Sequence, residues 1–459
     1  MIFRSAFAAC VVSALVLIWG HRFIPISDYP DWVYEGSVTA ELLQGKAPTS
    51  YSFKHYPVPY SAAIALTGLL DFVFPAEVSG KIVLSFCIVG LALSSTYLLK
   101  SVRQDAENPL LLVPLLFLLN TYFFWGELNY IFGLSLFFLY CGYWFRRIYG
   151  KEPISWWLVS ATLTALYFCH FIPFAIAVMV TLVFLSSESR SALLRPFAIS
   201  LAPSAGLTIW YTIERSVSKP DGPLWMFWTA HQMAGRVIAA FSPYPEFLPW
   251  LGIQAPGMKL FALLNLAVTI LLLGVLPFCV FVWVSGQSEN RGILASAVSC
   301  GVAVVVTGYE FAGMISPGER FLYPAVWIGL CWLVGTGWPV KSSLASRTLT
   351  IMLSGLLICQ IVFTQIDVGA VSNELAALHS KLRAANSQAE FCSIYESYRL
   401  QSWDAPNRNG LDVLLTNHAS APRLPYYIYL EKNVEAPIFQ ISILNYAGPG
   451  DNDDLCKPD

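Results

Sequence analysis

Residues 56–75 read Tyr-Pro-Val-Pro-Tyr-Ser-Ala-Ala-Ile-Ala-Leu-Thr-Gly-Leu-Leu-Asp-Phe-Val-Phe-Pro, an apolar run interrupted by Pro57, Pro59, Asp71 and Pro75. Whether the run from about 57 to 75 crosses a membrane sets the side of every later loop. The basic residues decide it. If the run lies in the interface, one side receives Arg4, Lys100, Arg103, Arg146, Arg147, Lys151, Arg190, Arg195, Arg291, Lys341 and Arg347. The short loops of the other side, including 125–129, His170 and 311–319, then hold no Lys or Arg. That is the asymmetry the positive-inside rule requires. A crossing would leave Arg4 opposed to all the others. The run is therefore read as an interfacial segment, with the N-terminus cytoplasmic.

Working outward, apolar stretches of membrane-spanning length recur at about 2–20, 79–99, 109–125, 128–145, 154–169, 171–186, 196–213, 258–285, 292–309, 320–338 and 348–366, about eleven in all. Only 12% of the chain is charged, against about 25% in a typical soluble domain. The expected fold class is an all-α polytopic membrane protein. The first stretch lacks a small-residue cleavage site before His21-Arg22, so it reads as a retained anchor. A net charge of −2 argues against a nucleic-acid partner.

On this topology residues 1–366 form the transmembrane domain, with a long first outer loop at 21–78 and a second at about 214–257. The second is rich in proline and aromatics, including Trp225, Trp228, Pro245 and Trp250. Residues 367–459 lie outside and are polar, which suggests a small extracytoplasmic α/β domain. Glu374–Ala385 reads as an amphipathic helix with Leu375, Leu378 and Leu382 on one face. Strand-like runs follow at Asp412–Thr416, Tyr426–Leu430 and near Ile438–Leu444. Cys392 and Cys456 are this segment's cysteines and, in an oxidising compartment, candidates for one disulfide. The other eight cysteines fall in apolar stretches and suit packing.

The polar residues of the spans and their ends collect on the outer side. Asp28, Asp31 and Glu35 follow the first span, inside Ser27-Asp28-Tyr29-Pro30-Asp31-Trp32-Val33-Tyr34-Glu35. His55 and Tyr56 precede the interfacial segment. Glu127 and Asn129 occupy a tight turn, His170 caps a span, and Glu310, Glu319 and Arg320 bracket the outer loop at 311–319. Burying such groups in hydrocarbon is costly, so each invites a functional reading. Each also has a plainer one. Asp31 and Glu35 can be solvated, Glu127 can cap a helix, and His170 can be a satisfied core histidine beside Pro173. Glu310 and Arg320 can pair with each other. No Walker loop, GxGxxG, HExxH, CxxC or GxSxG motif occurs, which removes support for nucleotide hydrolysis, zinc peptidase and serine hydrolase chemistry.

The order of these parts resembles the GT-C membrane glycosyltransferases. Ser27-Asp28-Tyr29-Pro30-Asp31 is similar to the acidic motif in the first outer loop of that superfamily. Tyr56-Pro57-Val58-Pro59-Tyr60 through Phe74, followed by Glu77-Val78-Ser79-Gly80-Lys81, resembles its interfacial helix feeding the second span. Asn417-His418 and Tyr426-Tyr427-Ile428-Tyr429 resemble the small extracytoplasmic domain of bacterial relatives. The likeness covers about residues 20–105 by motif and the rest by topology. It departs in one respect, because Asp28 and Asp31 stand three apart where paired acids are usually adjacent.

The resemblance implies transfer of a sugar from a polyprenyl-phosphate donor to an acceptor at the outer face. Asp28 would be the general base, with Asp31 or Glu35 orienting the acceptor or, with Asp28, holding a divalent cation such as Mg or Mn. Many members of the superfamily work without a metal. Arg320 would stabilise the leaving phosphate, and His170 and His55 would hydrogen-bond phosphate or sugar. Tyr56, Glu127, Asn129 and Glu310 complete the expected binding face. Membrane lipids would surround the protein. A bacterial inner membrane with a periplasmic C-terminus is the implied address, and an endoplasmic-reticulum membrane has the same topology. The competing readings are a lipid or polysaccharide transporter and a non-catalytic scaffold. Against transport, no ionisable residue falls deep in mid-span.

Overall fold

The computed structural model describes residues 2–26, 28–46, 50–102, 108–216, 256–286, 289–308, 310–311, 314–315, 317–337, 343–385, 387, 390–394 and 444–446, with a few positions between 225 and 243. The described chain is helical. Six helices are long and apolar enough to cross a membrane: Phe3–Gly20, Ala76–Lys100, Leu128–Tyr149, Ser191–Glu214, Leu263–Ser285 and Leu344–Ala384. Their outward faces carry exposed Ile199, Leu271, Phe281, Val284 and Ile351. Only a lipid surround makes such faces favourable, so this is an integral membrane protein.

The other five apolar stretches form shorter helices than these six. Trp156–Cys169, Phe171–Ser187 and Arg291–Thr307 have 14, 17 and 17 residues, and Leu322–Gly335 has 14. At 1.5 Å per residue these reach about 21–26 Å, short of a hydrocarbon core of about 30 Å. Hydropathy counts apolar residues, whereas helix length depends on where turns begin. The stretch 109–125 is broken outright into turns at Pro109–Leu112, Val113–Leu116 and Thr121–Trp125. Pro109 and Pro114 can start these turns but cannot continue them. Side chains satisfy the freed backbone: Asn120 Nδ2 donates to the Phe117 carbonyl at 2.8 Å. Gln360 Nε2 donates to the Leu116 carbonyl at 2.6 Å. Irregular backbone at membrane depth is tolerated only where such partners exist.

We number the helices α1 (Ile2–Gly20), α2 (Tyr29–Leu43), α3 (Ala62–Leu70), α4 (Ala76–Lys100), α5 (Val113–Leu116), α6 (Thr121–Trp125), α7 (Leu128–Tyr149), α8 (Trp156–Cys169), α9 (Phe171–Ser187) and α10 (Leu194–Ser216). They continue as α11 (Pro256–Leu273), α12 (Val275–Ser285), α13 (Arg291–Thr307), α14 (Pro317–Arg320), α15 (Leu322–Gly335) and α16 (Ser343–Ala384). Almost all of α15 is buried, and it lies against α13 and α4.

The first loop is not loop. The acidic stretch forms the amphipathic helix α2, and the expected interfacial segment forms α3, whose nine residues are far too few to cross. These two helices cross at close range. A Cβ on Gly36 would lie 2.5 Å from Thr67 Cγ2, and one on Gly68 would lie 2.9 Å from Thr39 Cγ2. A strand at Tyr51–Phe53 pairs antiparallel with Leu444–Tyr446, and Tyr51 and Tyr34 share a 2.7 Å hydroxyl contact. The last described strand is thereby tied through Tyr51 to α2.

The change of composition at residue 367 leaves no mark on the backbone. α16 runs unbroken for 42 residues, and Leu375, Leu378 and Leu382 continue its buried face, where the His379 ring lies 4.8 Å from that of Phe23. Cys392 is disulfide-bonded. Cys456, the runs 412–416 and 426–430, Asn417-His418 and most of the loop 214–257 lie outside the described residues. A three-stranded ribbon joins Trp225–Met226, Glu310–Phe311 and Met314–Ile315.

Candidate functional site

Pro30 stands in the first turn of α2, where its missing N–H costs nothing and its fixed φ favours helix. Asp28 is therefore set at the N-cap, half-buried, and its side chain does not cap the helix it precedes. The turn from Trp125 to Leu128 comes up against it. Gly126 adopts φ +82°, and a Cβ there would lie 2.6 Å from the Asp28 nitrogen and 2.9 Å from its Cβ. Only glycine allows both that conformation and that approach. Trp32 Nε1 donates to the Gly126 carbonyl at 2.8 Å and fastens the two segments.

Glu127, the next residue, is the N-cap of α7 and pairs with the Arg320 guanidinium. Arg320 closes the short helix α14, and its carbonyl accepts from the Tyr130 hydroxyl at 2.7 Å. Burial opposes its charge, but Glu127, with Tyr122 and Tyr60, acts more strongly the other way and drives its pKa up. The guanidinium is a permanent cation. Glu310 is the partner the sequence also allows; the partner described is Glu127, and the Glu310 side chain lies outside what the structure describes. Glu310 lies in the ribbon that leads to Arg320, its backbone paired with Met226 and Ile315.

His170 separates α8 from α9 and is almost wholly buried. Its Nδ1 accepts from the Ile172 amide at 3.1 Å, capping α9, which places the ring proton on Nε2. Burial first, and then Arg320, push its pKa well below 6.5. It is a neutral histidine whose ring meets Tyr60 edge-on at 4.4 Å and Tyr130 at 5.4 Å.

Asp28, Glu127, Arg320 and His170 are thus drawn from four chain segments to one end of the bundle. Asn129 lies there too, but both ends of its amide hold backbone. Its Oδ1 accepts from the Ala63 amide at 2.8 Å, and its Nδ2 donates to the Tyr60 carbonyl at 2.7 Å. It shapes the site rather than facing a ligand. Asp31 and Glu35, expected to be solvated or to meet the acceptor, are 1% and 0% exposed. At i+3 and i+7 from Asp28 they lie on the same face of α2 as Asp28, turned away from Tyr29 and Val33, which approach Gly80 of α4. His55 and Tyr56 stand aside. His55 Nε2 lies 3.0 Å from Glu214 Oε2 and the Tyr56 ring 6.1 Å from that of Tyr211, both on α10. Among the described residues, no three of His, Cys, Asp and Glu form a group able to hold a metal ion.

Tyr60, Trp32 and Tyr130 belong to the site and carry no motif. Their one common signal is an aromatic residue within four positions of a candidate polar one.

No protein family matches the chain, and no curated protein does. Among solved structures it is similar to the apo oligosaccharyltransferase of Archaeoglobus fulgidus, at TM-score 0.37 and 10% identity. The match covers 91% of this chain and 64% of that one, so the chain spans less than two thirds of that protein's length. A likeness this distant leaves the site to be argued from its own residues.

Proposed function

We propose that the protein transfers a sugar from a polyprenyl-phosphate donor to an acceptor at the outer face of a membrane, a bacterial inner membrane with a periplasmic C-terminal segment. One observation carries the reading. A carboxylate at a helix start and a permanent, largely buried cation flank the same glycine turn, at the end of a helical membrane bundle. That pairing suits a displacement at an anomeric carbon. The acceptor hydroxyl gives its proton to Asp28 as its oxygen bonds to that carbon. The bond from carbon to phosphate oxygen breaks, and the phosphate departs with the electron pair, its charge met by Arg320. His170, being neutral, adds no competing charge and holds the Tyr60 ring. The donor's hydrocarbon chain explains why such chemistry sits on membrane helices.

The test is to incubate the purified protein with a panel of polyprenyl-phosphate sugars and score free polyprenyl phosphate. Release that depends on Arg320, lost in Arg320→Ala, supports the reading. Binding of the lipid without release across the panel would make this a lipid-handling protein instead.

A further inference from the structure

Tyr60 has φ +72°, in the left-handed region that a bulky side chain disfavours because Cβ crowds the following carbonyl. The other non-glycine residues with positive φ among those described are Lys151, Ser189 and Asn290. All three are polar and lie in turns at the opposite end of the bundle. Tyr60 is the aromatic one, and it stands at the site.

Its conformation is held from several sides. Asn129 Nδ2 binds the Tyr60 carbonyl at 2.7 Å and its Oδ1 binds the Ala63 amide at 2.8 Å. The Ser61 amide donates to the Phe168 carbonyl at 2.9 Å, and the Tyr167 hydroxyl donates to the Pro57 carbonyl at 2.9 Å. Glycine would take this turn without strain. Strain held in place by its surroundings, at a ligand site, points to a use for the side chain. The ring is partly exposed and braced edge-on by His170 at 4.4 Å. The same histidine meets the Tyr130 ring at 5.4 Å, and the Tyr130 hydroxyl donates to the Arg320 carbonyl at 2.7 Å, so one set of rings joins Tyr60 to Arg320.

We propose that Tyr60 is a ligand-binding residue, its phenolic hydroxyl donating a hydrogen bond to the anionic oxygen that Arg320 binds. This rests on Arg320 taking a phosphate, as proposed above, and not on which lipid carries that phosphate.

The test uses the full chain in detergent with two probes, undecaprenyl phosphate and inorganic phosphate, followed by tryptophan fluorescence alongside thermal unfolding. Tyr60→Phe should keep the wild-type Tm and bind undecaprenyl phosphate about tenfold more weakly, the loss of one hydrogen bond to a charged group. Tyr60→Gly should hold or raise Tm, because the strain is released, while also losing affinity. Wild-type affinity in Tyr60→Phe, or a Tm in Tyr60→Gly lowered as for a core truncation, would make Tyr60 a packing residue and overturn the assignment. If the wild type binds inorganic phosphate alone, the lipid-donor reading fails, and the same two variants decide Tyr60 on that probe. If it binds neither, the assignment is overturned as well.

Discussion

At one end of the bundle Arg147 meets Glu152 at 2.6 Å, with side chains 33% and 39% exposed. At the other end Arg320 meets Glu127, with side chains 17% and 29% exposed. The first pair flanks the turn at Lys151, on the more exposed of the two ends. Beside it Glu188 receives the Tyr149 hydroxyl and the Gly292 amide, both at 2.8 Å. Beside the second pair the Tyr130 hydroxyl donates to the Arg320 carbonyl, and the Tyr122 ring lies 4.7 Å from that of Tyr130. The backbone takes positive φ at Gly126 and Tyr60. An exposed pair is nearly neutral for stability, whereas a buried one carries a desolvation cost that its attraction only partly returns. A chain that keeps charge where it is costly is spending stability on something other than folding.

The sharpest way to break this comparison is to remove one partner at each end. Arg320→Met leaves the Glu127 carboxylate in low dielectric and is expected to cost about 3 kcal/mol of stability. Adding Glu127→Gln should restore part of it. Thermal unfolding checks both. Equal losses from Arg320→Met and Arg147→Met would show that the ends do not differ.

Next in size is Asn129→Leu. It strips a donor and an acceptor from buried backbone at Ala63 and Tyr60 and should cost about 2–3 kcal/mol. Hydrogen exchange at the start of α3 should rise with it. Protection unchanged there would remove Asn129 from its role as the clamp of that turn.

Gly126→Ala forces an L-residue into φ +82° and drives a Cβ into Asp28. A loss of about 1–2 kcal/mol is expected from the backbone alone. Activity should fall by more than that implies, since Asp28 is displaced. Full activity at reduced stability would separate the turn from the base.

His170 supplies a smaller, pH-dependent effect. Its folded-state pKa lies well below 6.5, so below about pH 6.5 the unfolded chain takes up a proton that the folded chain refuses. Stability is fully present above that pH and declines as pH falls toward the folded value. His170→Asn keeps a cap for α9 and should flatten that part of the Tm–pH curve. A curve as steep as the wild type's would place the titration elsewhere. The smallest effect belongs to Arg147→Met, expected within about 1 kcal/mol of wild type.

Membrane character and helical class are plain in composition and apolar runs, because both depend on what residues are present and not on their contacts. The gathering of Asp28, Glu127, His170 and Arg320 at one end also follows from topology, since each stands at a helix end on the same side. Four things did not follow. Hydropathy made 109–125 one span, but Pro109 and Pro114 break it, and besides Asn120 within the stretch the break is satisfied by Gln360, 244 residues beyond Leu116. Asp31 and Glu35 look like solvent-facing acids, and only the tertiary packing shows them buried. Asn129 looks like a ligand group, and its amide is consumed by a turn 66 residues earlier in the chain. Tyr60's backbone leaves no trace in sequence at all, for nothing local forces a tyrosine left-handed.

The claim at the centre is that Asp28 takes the acceptor's proton in a sugar transfer from a lipid phosphate. The direct measurement is release of free polyprenyl phosphate by wild type and by Asp28→Asn, purified side by side with matched Tm. The account predicts release by the wild type and a loss of at least about a hundredfold in the variant. Equal rates, or none from either protein with any donor, would contradict it.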